Sequence, residues 1–173
     1  KLNWYGIGET YYHTGEHDSK VREENYPKAL LSMQKVLELD PDFQTAIYHI
    51  FDVLAHNKDW EGMIKYALKY KMNISGKIQP RVIRAYENLG YLEKAEKYYE
   101  KIEQTLINTD STGEGLCYIN ADLAYNLGSE DELFQRGIYY AEKGIKNCPP
   151  KHRFLRQSHF TFIVLTYALE GNE

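Results

Sequence analysis

The stretch "HTGEH" at residues 13–17 sets His13 and His17 four positions apart with Glu16 between them. Two imidazoles at that interval on one helix can hold a metal ion. Gly15 argues against it, because a glycine there reads as a helix stop, and without a continuous helix the two rings share no face. A polar turn is the reading the pattern favours. His49 and His56 lie seven apart on one helical pattern and do share a face, as solvated or peptide-contacting groups rather than as ligands. Cys117 and Cys148 fall on the apolar faces of their helices and read as core residues. The antiparallel course of those two helices leaves a disulfide between their ends open. No nucleophile is set with a base, no carboxylates converge, and the glycines follow no phosphate-loop spacing, so neither an enzyme nor a bound cofactor or metal is expected. "NIS" at 73–75 is an acceptor pattern for N-glycosylation that only a secreted protein uses.

Composition narrows the classes further. Of 173 residues, 43% are hydrophobic and 27% charged, the balance of a globular domain that buries a core. A formal charge of −4 with a pI near 5.9 and no basic stripe excludes nucleic acid and anionic membranes as expected partners. No apolar run approaches the roughly 18 residues of a membrane-spanning helix, and "KLNWYGIGET" lacks the regions of a secretion signal. Two cysteines make neither a disulfide framework nor a zinc site, a usage that favours a reducing compartment such as the cytoplasm. A start at Lys1 and an end at "EGNE", where another helix is due, suggest a piece of a longer polypeptide.

The elements that position these residues repeat along the chain. "NYPKALLSMQKVLELDPDF" (25–43), "GYLEKAEKYYEKIEQTLIN" (90–108) and "RGIYYAEKGIKNCPP" (136–150) align on the triplets Ala29, Met33, Val36; Ala95, Tyr99, Ile102; and Gly137, Ala141, Gly144. Spacings of four and then three mark one helical face. Such a narrow seam on a short helix is stable only against a neighbour, and the repetition identifies the neighbour as another helix of the same array. Each aligned helix follows another amphipathic stretch that ends in a turn signal, at Gly15, Gly90, Gly128 and Gly171, or at Asn57–Lys58–Asp59 ahead of Trp60. Between Glu16 and Asn25, "EHDSKVREEN" is expected to lengthen the first turn by about nine residues. Ser111 and Glu114 have the spacing of a capping box.

On these residues the chain resembles the tetratricopeptide-repeat family, whose helix–turn–helix units of about 34 residues carry a W-x2-L-G-x2-Y, A-x3-F and P pattern. Trp4, Ile7, Gly8, Tyr11, Ala29, Met33 and Pro41 match it, while Phe51 stands where a small residue is usual. The resemblance implies an all-α fold, a right-handed superhelical solenoid of antiparallel helix pairs forming a single domain over 1–173. Four repeats are drawn at about 1–43, 44–77, 78–113 and 114–156, followed by a final helix at 157–170.

In this family the first helix of each repeat lines a concave groove that holds a peptide segment or a partner's helix. The resemblance therefore implies a protein-interaction scaffold whose groove is lined by Tyr5, Glu9, Tyr12 and His13, by Tyr48, His49, Asp52 and His56, by Lys77, Arg81, Arg84 and Asn88, and by Tyr118, Asp122 and Tyr125. Tyrosines supply amphipathic anchors there and guanidinium groups supply forks for carboxylates. Lys77 and Arg81 occupy places of a clamp that some members close on a C-terminal carboxylate, but Tyr5, Glu9 and His49 stand at its other places, and Glu9 repels a carboxylate. Two alternatives accompany the scaffold reading. One is a peptide-sensing regulatory module of a larger polypeptide. The other is a homodimer through the C-terminal helix, whose Phe160, Phe162, Val164, Leu165 and Leu169 are apolar nearly all round.

Overall fold

A computed structural model describes residues 1–70, 78–110, 112–152 and Thr161. The expected final helix, the Asn73 acceptor pattern, Lys77, Ser111 and Gly171 lie outside the described residues. The fold is all-α, with no strand among the described residues. The chain divides into two compact units, Lys1–Met72 and Asn73–Glu173. None of the described helices is long and apolar enough to cross a membrane.

The first unit contains α1 (Leu2–Glu16), α2 (Ser19–Leu39), α3 (Gln44–His56) and α4 (Trp60–Lys69). The expected long first turn is absent: α1 and α2 are separated only by His17 and Asp18, and the polar run is helix. Asp18 is the reason. Its carboxylate accepts from the backbone N–H groups of Lys20 and Val21 at 2.8 and 3.3 Å, satisfying donors that a helix start leaves orphaned. Gly15 is not a helix stop either. It lies inside α1, where an added Cβ would meet the Tyr26 ring at 3.0 Å and Arg22 Cα at 3.2 Å, so the glycine serves close approach. The Asn57–Lys58–Asp59 turn is present, with Lys58 at φ +54° and Asp59 accepting from Gly62 N at 2.9 Å to cap α4. Ala29, Met33 and Val36 are all buried, with Met33 beneath Gly8. Trp4 and Ile7 of the opening pattern remain 43% exposed.

The second unit contains α5 (Gln79–Asn88), α6 (Leu92–Thr109), α7 (Glu114–Gly128), a 3-10 turn at Asp131–Leu133, α8 (Phe134–Asn147) and a second 3-10 turn at Pro150–His152. Gly90 does stop α5, at φ +72°, a conformation open to glycine without steric cost. Gly128 belongs to α7 instead. A Cβ on Gly137 would come within 2.6 Å of Gly128 Cα, so this glycine pair lets α7 and α8 touch backbone to backbone. One core gathers Ile83 from α5, Ala95, Tyr99 and Ile102 from α6, Ile119, Leu123 and Leu127 from α7, and Tyr140 and Ala141 from α8. Tyr99 and Asn120, both fully buried, satisfy each other at 3.0–3.1 Å, and Asn120 also donates to Leu116 O at 2.8 Å.

Ahead of α7, Thr112 Oγ1 accepts from Glu114 N at 3.1 Å and Asp110 accepts from Gly115 N at 2.8 Å. Cys117 and Cys148 form a disulfide between α7 and the end of α8, with Cα atoms 5.0 Å apart. They are therefore more than two core residues, and the cysteine-based case for a reducing compartment falls away.

Candidate functional site

Helices α1 and α3 bring six of the expected groove residues together. On α1, Tyr5, Glu9, Tyr12 and His13 fall on one face by their i, i+4 and i+7 spacing. His49 and Asp52 meet them from α3. The Tyr5 ring stands edge-on to Phe43 at 5.0 Å, and burial together with the Glu9 carboxylate pushes its phenol above the ordinary range. Tyr12 is the hub. Its ring stacks on Tyr26 at 5.5 Å, lies 4.4 Å from His49, and its hydroxyl donates to Asp52 Oδ2 at 3.3 Å. Burial, then the Asp52 charge, raises its phenol as well, so Tyr12 is a neutral donor at every physiological pH. Tyr48 is half-buried beside His49. His56, the eighth residue, lies at the exposed end of α3 and meets the Tyr26 ring edge at 5.2 Å.

Glu9 lies between two histidines. Its Oε1 is 2.5 Å from His49 Nε2 and its Oε2 is 3.3 Å from His13 Nε2. The other ring nitrogen of His13 pairs with Glu16 Oε2 at 2.7 Å, and that bond is the main reason its imidazole titrates above the usual value. His49 is 8% exposed, and its desolvation lowers its pKa against the opposing pull of Glu9 and Asp52. Glu9 Oε1 and His49 Nδ1 are buried atoms without a hydrogen bond of acceptable geometry. One ligating atom from each of Glu9, His13 and His49 lies within 4.8 Å of the other two, so among the described residues this trio could hold a metal. His17 stands apart from it, at the C-cap of α1.

In the second unit the expected residues take more varied places. Arg84, expected as a fork for a ligand carboxylate, directs Nε and Nη2 to Glu130 Oε1 at 3.3 and 2.8 Å, and Nη1 to Asn126 Oδ1 at 3.1 Å. That fork ties α5 to the end of α7. Asn88 donates to Arg84 O at 3.0 Å. Arg81 on α5 and Asp122 on α7 are half-buried. Tyr118 and Tyr125 on α7 are 38% and 74% exposed.

The most heavily bonded charges lie at residues that the repeat pattern does not single out. Glu87 is buried and accepts from Arg136 Nε and Nη2 at 2.9 and 2.7 Å and from the Tyr140 hydroxyl at 2.7 Å. Beside it, Glu96 accepts from Tyr139 and Lys143 at 2.7 Å each, and the Lys143 ammonium lies 4.0 Å from the Tyr99 ring centroid. Burial works against the charge on Glu96, but the Lys143 and Tyr139 bonds outweigh it and hold its carboxyl low. The available signal was the spacing of Arg136, Tyr139, Tyr140 and Lys143 on one face of α8; the acids they meet come from other helices. Among the described residues each of these bonds closes inside the unit, which marks the network as architecture rather than a ligand site. No family model and no curated protein matches the chain.

Proposed function

We propose that the chain is a tetratricopeptide-repeat array of right-handed superhelical type, and that it acts as a non-enzymatic scaffold binding a peptide segment or partner helix on the faces of its first-position helices. The observation that carries this reading is the collection of rings and polar tips on α1 and α3, where Tyr5, Tyr12 and Tyr48 are set among His13, His49 and Asp52. Amphipathic rings held by their neighbours lose little side-chain entropy on binding, which is what a peptide groove requires. The exposed Tyr118 and Tyr125 on α7 offer the same chemistry in the second unit. Arg81 on α5 belongs to the same expected face and carries a fork of the kind that binds carboxylates. Glu9 adds negative charge where a C-terminal carboxylate clamp needs positive charge, so the ligand is an internal peptide segment rather than a chain end.

The test is selection of linear peptides from a random display library on the immobilised full chain, with affinities then compared between the wild type and a Tyr48→Ala, Arg81→Ala double variant. Enriched peptides that bind the variant about tenfold or more weakly support the reading, since truncating an anchor residue costs on the order of 1–2 kcal/mol or more. Peptides that bind both proteins equally would remove it.

A further inference from the structure

Glu9 and His13 stand one helical turn apart on α1, and His49 faces them from α3. The Glu9 carboxylate is divided between the two rings, one oxygen toward each Nε2. His13 gives its Nδ1 side to the Glu16 carboxylate at 2.7 Å. A carboxylate that takes one imidazole N–H fixes the tautomer and leaves the lone pair on Nε2, the outer-shell arrangement found behind most metal-bound histidines. Here that lone pair is aimed at Glu9 and toward His49.

A second observation concerns what the trio lacks. His49 is 8% exposed with its Nδ1 buried and unbonded, and Glu9 Oε1 approaches His49 Nε2 to 2.5 Å without the alignment of a hydrogen bond. A buried carboxylate oxygen with no donor costs free energy, and a cation between it and the imidazoles removes that cost. We propose that Glu9, His13 and His49 form a binding site for one divalent first-row transition-metal ion, with zinc the natural occupant of two imidazole nitrogens and a carboxylate oxygen.

The donors must rearrange modestly around an ion. Tetrahedral donors about 2.1 Å from zinc stand roughly 3.4 Å apart, so Glu9 Oε1 and His49 Nε2 open from 2.5 Å while His13 closes on them from within the 4.8 Å that spans the trio. The His13 side chain is 55% exposed and has the rotamer freedom to close the gap, while His49 is the fixed member. Three protein ligands leave a fourth position open on the exposed His13 side, where water or a ligand carboxylate can bind. The site stands whether or not the same face binds peptides.

The test uses the full chain with its disulfide intact, stripped with chelator and titrated with Co2+ and then Zn2+. The expected result is one ion per chain, a visible d–d band for Co2+ that Zn2+ displaces, and calorimetric binding weakened about 100-fold or more in His13→Ala and in Glu9→Gln. Removing a ligand should exceed the 10–100-fold cost of losing an outer-shell partner, so Glu16→Gln should weaken binding less, by about tenfold. His17→Ala and His56→Ala should bind as the wild type does. Because His13 is exposed, its variant tests the site without disturbing the core. Absence of stoichiometric binding, equal affinity in His13→Ala and Glu9→Gln, or loss of binding in His17→Ala overturns the assignment.

Discussion

Arg136 clasps the buried carboxylate of Glu87 with two parallel bonds, of 2.9 and 2.7 Å, across 49 residues of sequence. Tyr140 adds a third bond at 2.7 Å. Removing the guanidinium strands a charge in the core, so Arg136→Ala should destabilise the second unit by about 3–5 kcal/mol. Replacing both partners by apolar residues, as Arg136→Met with Glu87→Leu, leaves no unpaired charge and should cost much less. Urea denaturation of the three proteins checks this. A single variant as stable as the double would contradict the pairing.

Gly137 and Gly128 bring α8 against α7 with no room for a side chain, since a Cβ on Gly137 would lie 2.6 Å from Gly128 Cα. A flexible side chain could yield; backbone cannot. Gly137→Ala is therefore expected to lose about 1–3 kcal/mol despite alanine's better helix propensity. Gly6→Ala, where nothing lies within 4 Å of the added carbon, should be neutral or slightly stabilising. Thermal melts of the two variants compare the sites directly.

The Cys117–Cys148 disulfide closes a loop with a sequence separation of 31. A cross-link of that span restricts the unfolded chain by about 3–4 kcal/mol in the chain-entropy description. Reduction, or Cys117→Ser with Cys148→Ser, should lower stability by up to that amount. Denaturation with and without reductant measures it, and identical midpoints would contradict it.

Asp110 makes the stability depend on pH. The Thr112 hydroxyl and then the Gly115 N–H bond its carboxylate and hold its pKa down, to about 2. A depressed carboxyl stabilises the fold above its unfolded pKa and loses that contribution as pH falls through the folded one. The advantage of the wild type over Asp110→Asn should therefore be constant above about pH 5 and shrink between about pH 4 and pH 2. Thermal midpoints followed over that range test the sign; a gap that widens on acidification would contradict it.

Much of the helical frame was legible because seams of small and bulky residues at spacings of four and three have one physical meaning. Ala95, Tyr99 and Ile102 are buried together in the core as that pattern requires. The turn glycines were less legible. A glycine late in a helix signals either a left-handed stop or a close approach, and only Gly90 among those described proved to be the stop. The polar run after Glu16 looked like a loop because its amphipathic period is weak, yet the Asp18 cap carries it as helix. Glu87 was hidden for a different reason: its partners Arg136 and Tyr140 come from α8, and long-range pairing leaves no local trace. Glu9, His13 and His49 were all projected onto one face by the repeat register. Their approach to within 4.8 Å depends on how α1 and α3 lean together, which spacing cannot express.

The most direct measurement is an amide shift map of the full chain with the tightest peptide obtained by display selection. The proposed binding should move resonances around Tyr5, Tyr12 and Tyr48 on α1 and α3, and around Arg81, Tyr118 and Tyr125 on α5 and α7, leaving the exposed residues of α2, α4 and α6 in place. Shifts centred on Leu31, Leu68 or Ile107, exposed residues of α2, α4 and α6, with α1 and α3 unchanged, would contradict the proposed binding face.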